Sequence, residues 1–127
     1  MRKSLLTSFL LLTAIGSLHA EEFRFELNRY GWLEFVTGQS GSVRMVQADK
    51  AGNLDVVFQS ALTAEDSSRF LTQRGTVFTL EKLGKVVRGH PEDRFNTNSG
   101  DWKLSLSGTG KEFTNVLARL NEMLVWQ

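Results

Sequence analysis

Residues 22–36 read EFRFELNRYGWLEFV, and the fold prediction starts from this stretch. Apolar and polar residues alternate over 22–28, which is the period-two pattern of a half-buried strand. Tyr30 and Gly31 interrupt the alternation with a turn signal, and residues 32–36 resume it. The stretch therefore predicts two antiparallel strands joined by a short turn.

Two further strands follow at short intervals. A third strand is predicted near 43–46 and a fourth near 54–59, because alternating apolar residues recur in both segments. The connecting segments 38–41 and 49–53 are short and contain glycine, which suits the tight loops of hairpins. Four consecutive strands joined in this way predict an antiparallel meander.

The pattern changes in the middle of the chain. Thr63 precedes two acidic residues, an arrangement typical of a helix start, so a short helix is predicted over 64–73. Residues 76–82 return to a β-favouring composition. With a turn at Gly84 and a strand over 85–88, they predict a second hairpin.

The C-terminal part predicts a loop, a strand and a helix. Residues 89–101 lack apolar periodicity and are interpreted as a loop, whereas 102–107 alternate as a strand. Thr109 and Glu112 match a T-x-x-E capping box. Apolar side chains then recur at helical spacing on one face of the helix. They are Phe113, Val116, Leu117, Leu120, Met123 and Leu124.

Together these elements predict a single α+β domain. Its architecture is an antiparallel β-meander of about six or seven short strands, packed by the amphipathic C-terminal helix.

The N-terminus predicts export. Two basic residues precede an apolar run over 5–15, and Ala20 ends the segment with a small residue, which is the organisation of a signal peptide. The run is shorter than the roughly 20 apolar residues of a membrane span. We expect cleavage of 1–20, a single mature domain over 21–127 with no membrane anchor, and a periplasmic or secreted location.

Composition restricts the possible partners and cofactors. The chain has no Cys and 2 His, so disulfides are excluded and a typical zinc site lacks ligands. We expect no metal and no cofactor. Lys and Arg number 15 against 14 Asp and Glu, and the two signs are mixed along the chain. This mixing argues against a nucleic-acid partner, which requires clustered positive charge.

His90 is the only histidine of the predicted mature domain. It lies near Glu92 and Asp93, either of which could orient it as a general base. No nucleophile motif accompanies it, so we assign no catalytic residue and rank a hydrolase using His90 below the other functions. Glu26, Glu34 and Asp55 could supply the paired carboxylates of a glycoside hydrolase, but a solvent-facing polar face is the simpler interpretation.

The same predicted loop contains the residues that we expect to bind a partner: His90, Arg94, Phe95 and Asn96. An aromatic ring flanked by Arg and Asn is typical of a recognition site. The alternative is that Phe95 folds back and pins the loop to the domain, and the sequence leaves both open. The leading prediction is an exported small binding module, such as an inhibitor or immunity-type partner of another envelope or secreted protein.

A carrier of a small apolar or saccharide ligand is the alternative function. A curved sheet covered by a helix can enclose a cavity, and Phe23, Phe25, Phe35 and Phe58 would then line it. Ordinary core packing accounts for the same residues.

Overall fold

The computed structural model describes residues 20–85 and 93–125, which form two antiparallel sheets and one helix. The first sheet contains β1 (Glu22–Asn28), β2 (Gly31–Val36), β3 (Ser42–Ala48) and β4 (Leu54–Ala61). The second sheet contains β5 (Thr63–Ala64), β6 (Arg69–Leu71), β7 (Val77–Lys82), β8 (Phe95–Ser99) and β9 (Trp102–Ser107). The helix α1 spans Lys111–Val125, and a single 3-10 turn covers Leu83–Lys85. No helix within the described ranges is long and apolar enough to cross a membrane.

The first sheet is the predicted meander, with strand order β1-β2-β3-β4. Phe25 pairs with Leu33 and Leu33 pairs with Met45, so one row of apolar side chains crosses three strands on the inner face. All three side chains are fully buried. The period-two pattern of residues 22–36 thus becomes the alternation of inner and outer faces in β1 and β2.

The second sheet has the order β5-β6-β7-β9-β8 and was not foreseen as a separate sheet. The described chain therefore has nine strands in two sheets, rather than about six or seven in one meander. Strands β5 and β6 are two and three residues long, too short for alternation to reveal them. The α+β class and the antiparallel pairing are confirmed.

The helix predicted over 64–73 is wrong, because this segment forms β5, a turn and β6. The carboxylate of Asp66 accepts hydrogen bonds from the backbone N–H groups of Ser68 and Arg69, both at 2.8 Å. These bonds close a turn and lower the pKa of Asp66. Phe70 then pairs with Phe78 on β7, which places its ring in the core. Tertiary pairing therefore overrides the local capping signal.

The loop predicted over 89–101 is also partly wrong. Residues 95–99 form β8, which pairs with β9 through the register Phe95 to Leu106 and Ser99 to Trp102. Only one residue of this edge strand is apolar, so its sequence has the composition of a loop although its backbone is paired. The strand predicted over 85–88 lies almost entirely outside the described residues, and β7 pairs instead with β6 and β9.

Aromatic rings hold the two sheets face to face. The ring of Phe35 on β2 lies 5.3 Å from that of Phe70 and 5.8 Å from that of Phe78, measured between centroids. Phe23 and Trp102 make a second contact between the sheets at 5.1 Å, edge to face. These distances are those of favourable aromatic packing, and the interior between the sheets is therefore filled by side chains.

Helix α1 buries the face that its periodicity predicts. Phe113, Val116, Leu120 and Met123 are buried among side chains of both sheets, and Leu117 is partly buried beside them. Gly31 allows the close approach of the helix, because a Cβ atom there would lie 2.7 Å from the Sδ atom of Met123. The helix thus covers the open end of the core on which both sheets converge.

The two ends of α1 are fastened to different sheets. Near its start, the hydroxyls of Thr72 and Thr76 both donate to Oε1 of Glu112, each at 2.6 Å. Near its end, the side-chain amide of Asn28 donates to the backbone carbonyl of Met123. The predicted capping box of Thr109 and Glu112 is wrong, because the helix begins at Lys111 and the Glu112 carboxylate binds the β6–β7 turn instead.

We expect Leu120→Ala to lower the free energy of unfolding by about 2 to 5 kcal/mol, because Leu120 is fully buried and its loss leaves a cavity. Equilibrium denaturation followed by circular dichroism measures this change. The matched control is Asn115→Ala on the exposed face, which should change the free energy by less than about 0.5 kcal/mol. An effect of Leu120→Ala as small as that of the control would contradict the placement of α1.

We expect Gly108→Ala to destabilise the protein by more than about 1 kcal/mol, because Gly108 has φ of 143° and its Cβ would lie 3.0 Å from the carbonyl oxygen of Gly75. Gly84→Ala is the control, since a Cβ there has no neighbour within 4 Å and the backbone has no positive φ. Thermal and urea denaturation compare the two variants. Equal stability would show that the chain accommodates the Gly108 side chain by moving away from the β6–β7 turn.

Candidate functional site

The residues predicted to bind a partner are separated by the strand structure. Arg94 and Asn96 are exposed, whereas Phe95 between them is buried, with 8% of its surface exposed. The N–H of Arg94 donates to the carbonyl of Leu106 at 2.8 Å, which continues the ladder of β8 and β9. His90 lies outside the described residues. Phe95 is therefore packed into the core. A binding role for His90, Arg94, Phe95 and Asn96 stays a prediction.

Three of the four phenylalanines named for a ligand cavity, Phe23, Phe25 and Phe35, pack against other rings. Phe25 and Phe35 are fully buried, and the ring of Phe23 lies 6.3 Å from that of Phe25. Phe58 is half-buried against the same core. Phe58 also lines the open groove beside β4 that is described below. A carrier function stays a prediction.

Strand β4 is an edge of the first sheet, since among the described strands it pairs only with β3. One bond shows which residue pairs of this ladder are hydrogen-bonded: the N–H of Leu62 donates to the carbonyl of Gly41 at 3.0 Å. Hydrogen-bonded and non-bonded pairs alternate along an antiparallel ladder. Ser60 and Phe58 therefore bond β3, whereas the N–H and C=O of Gln59 point away from β3 to the open side.

The same open side continues past a bulge in the β3–β4 ladder. Val46 pairs with Val56 after the register shifts beyond Met45. The N–H of Ala48 donates to the carbonyl of Tyr30 at 2.7 Å, which sets the phase of the β2–β3 ladder. Because bonded and non-bonded pairs alternate from this bond, the backbone N–H and C=O of Val46 bond β2 and not β4. Val56, the partner of Val46 on β4, therefore also has its backbone groups on the open side. We call this row of outward-facing backbone groups the β4 edge.

A groove of about 1020 Å³ lies between the β4 edge and α1, and we call it the β4–α1 groove. Four consecutive residues of β4, 57–60, line it. The opposite wall is a stripe of α1 from Lys111 to Glu122, about 16 Å long at 1.5 Å per residue. The groove thus has the position and length of one additional strand.

Charge is unevenly distributed along the groove. Arg74 and Lys111 line it near the start of α1, and neither has an ion-pair partner among the residues that the structure describes. Glu112 beside them is held by Thr72 and Thr76. About two and three turns further along the helix, Arg119 and Glu122 pair with each other at 3.9 Å. Arg74 and Lys111 outnumber the Glu112 carboxylate there, so the start of α1 presents an excess of positive charge to the groove.

A second depression of about 560 Å³ lies at the other end of β4, and we call it the Tyr30 pocket. Tyr30, Ala48 and Leu54 provide its apolar surface. The carboxylate of Asp49 is occupied by its own loop, since it accepts bonds from Asn53 and Ala51 that lower its pKa. The pocket is thus an apolar hollow with a polar rim.

Leu54 and Val56 beside this pocket are exposed to 64% and 41%, respectively. The sequence pattern grouped them with Phe58 on one apolar face of the fourth strand. The bulge opposite Met45 and Val46 breaks that face, so Phe58 turns toward the core while the other two point to solvent. The consecutive apolar residues 56–58 were the available signal, because a strictly alternating strand does not contain such a run.

The outer face of the first sheet contains an ordered polar cluster. The indole N–H of Trp32 donates to Glu34 at 2.9 Å, and Arg44 donates to the same carboxylate from Nη2 at 2.6 Å and from Nε at 2.9 Å. Arg24 lies over the Trp32 ring, 3.9 Å from its centroid, and pairs with Glu26. The Glu26 carboxylate is thus engaged within its own strand and the Glu34 carboxylate both within its strand and across to β3, as expected of a solvent-facing polar face.

The described residues include no group of three or more His, Cys, Asp or Glu that could hold a metal ion. Comparison with protein-family models, with curated proteins and with solved structures found no match to this chain. The functional argument therefore rests on the geometry of the β4 edge and its surroundings.

We expect Glu34→Gln to destabilise the protein at neutral pH by about 0.2 to 1 kcal/mol, the range of a partly exposed ion pair. Hydrogen bonds from Trp32, followed by those from Arg44, lower the pKa of Glu34. A lowered pKa contributes stability that is complete above the unfolded value, about 4.3 for Glu, and is lost as the pH falls through the folded value. Denaturation of both proteins between neutral and acidic pH should therefore show their difference shrinking below that range. A difference independent of pH would contradict the role of the Glu34 charge.

Proposed function

We propose that this protein is an exported binding module that holds an extended segment of another envelope or secreted protein along the β4 edge. The observation that carries the proposal is the open β4 edge beside a strand-sized groove walled by α1. An exposed sheet edge offers unpaired N–H and C=O groups in the spacing that another strand needs. Addition of a strand to such an edge is a recurring mode of peptide recognition.

The composition of β4 supports the proposal that a partner covers its edge. Natural edge strands are commonly protected by Lys, Pro, close covering or a β-bulge, and β4 has such a bulge only opposite Met45 and Val46. Strand β4 contains neither Lys nor Pro, and its only charged residue is Asp55. It is also the longest strand described, with eight residues. Leu54 and Val56 add exposed apolar surface that a bound segment would cover.

This site differs from the one expected from sequence, but it supports the same class of function. An inhibitor or immunity-type protein needs a rigid surface that is formed before its partner arrives. The β4–α1 groove lies between two elements whose apolar sides reach the core, Phe58 and Val116. Its walls are therefore set by packing rather than by a loop.

We expect Gln59→Pro to weaken partner binding by about tenfold or more. Proline removes the outward N–H of residue 59 and fills its place with the ring, while the bonds of Ser60 and Phe58 to β3 remain. Gln59→Ala keeps the N–H and should bind like the unchanged protein. The measurement is capture from an envelope extract, identification of the retained protein, and titration of the purified partner against all three forms.

A third variant keeps this test decisive if Gln59→Pro does not fold. Asn115→Trp fills the groove from the exposed side of α1 without altering β4, and it should also weaken binding. Retention of the same partner by correctly folded Gln59→Pro and Asn115→Trp would overturn the proposed site. Failure of the unchanged protein to retain any partner would overturn the proposed function.

A further inference from the structure

We infer that the segment bound at the β4 edge is acidic at its N-terminal end and apolar at its C-terminal end. This inference rests on the proposed function and assigns the chemistry of the partner. It follows from the different character of the two ends of β4. One end adjoins Arg74 and Lys111, and the other adjoins the Tyr30 pocket.

The direction of α1 relative to β4 determines which end is which. Met123 lies against Gly31, which pairs with Gln47, and Gln47 pairs with Asp55. The last turns of α1 are therefore on the Asp55 side of the sheet. Lys111 is twelve residues before Met123, about 18 Å away along the helix axis, so the start of α1 lies toward Ser60.

The positive end of the groove is built by two elements held together. The β6–β7 turn, which contains Arg74, is tied to the first turn of α1 by the bonds of Thr72 and Thr76 to Glu112. Lys111 precedes Glu112 on that helix turn. Both cations line the same groove without an ion-pair partner in the described structure. A carboxylate of the bound segment near Ser60 would complement this charge.

The opposite end is apolar and concave. Leu54 is the first residue of β4, and its exposed side chain forms part of the Tyr30 pocket. A segment that follows the β4 edge past Val56 would place a side chain over this pocket. An aliphatic or aromatic side chain there would cover both Leu54 and the face of Tyr30, removing apolar surface from water.

Orientation follows from the sheet itself. Every neighbouring pair in the first sheet is antiparallel, and antiparallel pairing is slightly more stable per residue than parallel pairing. An antiparallel segment begins opposite Ser60 and ends opposite Leu54. The distance between these two positions is six residues, about 20 Å of extended chain. The acidic and apolar positions of the partner are therefore separated by about that length.

A randomised peptide display library, panned against the immobilised protein, tests the inference. We expect enrichment of extended peptides with Asp or Glu near the N-terminal end and an apolar residue about six positions later. The double variant Arg74→Glu with Lys111→Glu should bind the enriched peptides about tenfold more weakly and should select basic residues instead. Lys82→Glu with Lys103→Glu makes the same change of charge on the second sheet and should leave both results unchanged.

The apolar end has its own variant, Leu54→Ser. It should abolish the preference for an apolar residue at the C-terminal position while keeping the preference for acid at the other end. Because Leu54 is largely exposed, this change should leave folding intact.

Different outcomes would overturn the proposed function and the inference about the chemistry of the bound segment. Absence of enriched peptides, or equal binding of enriched peptides to Gln59→Pro, would overturn the proposed function. Peptides that require the β4 edge but show no acidic preference would overturn the inference alone. The same is true if the Arg74 and Lys111 double variant keeps the original preference. The reverse order of acidic and apolar positions would contradict the antiparallel placement.

Discussion

Helix α1 makes the contacts on which the rest of the structure depends. Phe113, Val116, Leu120 and Met123 enter the core from one side, where both sheets contribute side chains. The Glu112 bonds fasten the helix start to the second sheet, and the Asn28 bond fastens its last turn to the first. The chain passes directly between the sheets only at the short connection from β4 to β5. Burial of one amphipathic face therefore adds to the core contacts that hold the two sheets together.

The same packing arrangement creates the candidate site. A helix beside an edge strand cannot hydrogen-bond to the backbone groups that point out of that edge, because its own N–H and C=O groups bond within the helix. Strand β4 consequently keeps an open edge although α1 stands next to it. The bulge opposite Met45 adds to this effect, since it turns Leu54 and Val56 outward. The groove and the open edge thus follow from the position of α1, and the exposed apolar residues follow from the bulge.

The proposed site was difficult to predict because the groups that form it are mostly backbone. A sequence shows which side chains are aromatic or charged, and on that basis Phe95 in a polar segment was a reasonable anchor. Pairing of β8 with β9 buries that ring instead. The sequence gives no sign that the N–H of Gln59 points outward, because every residue except proline has a backbone N–H. Only the phase of the ladder shows which backbone groups are unpaired.

The sequence by itself determined the elements with strong periodicity. These are the four-stranded meander, the β7 and β9 strands and the amphipathic helix, because alternation and helical spacing are local properties of a single segment. Tertiary structure decided the rest. It divided the strands into two sheets and turned residues 64–73 into β5 and β6. It also drew the polar segment 95–99 into an edge strand and left the β4 edge open. The physical reason is that pairing energy depends on the partner strand and on burial against it, neither of which is present in the segment's own residues.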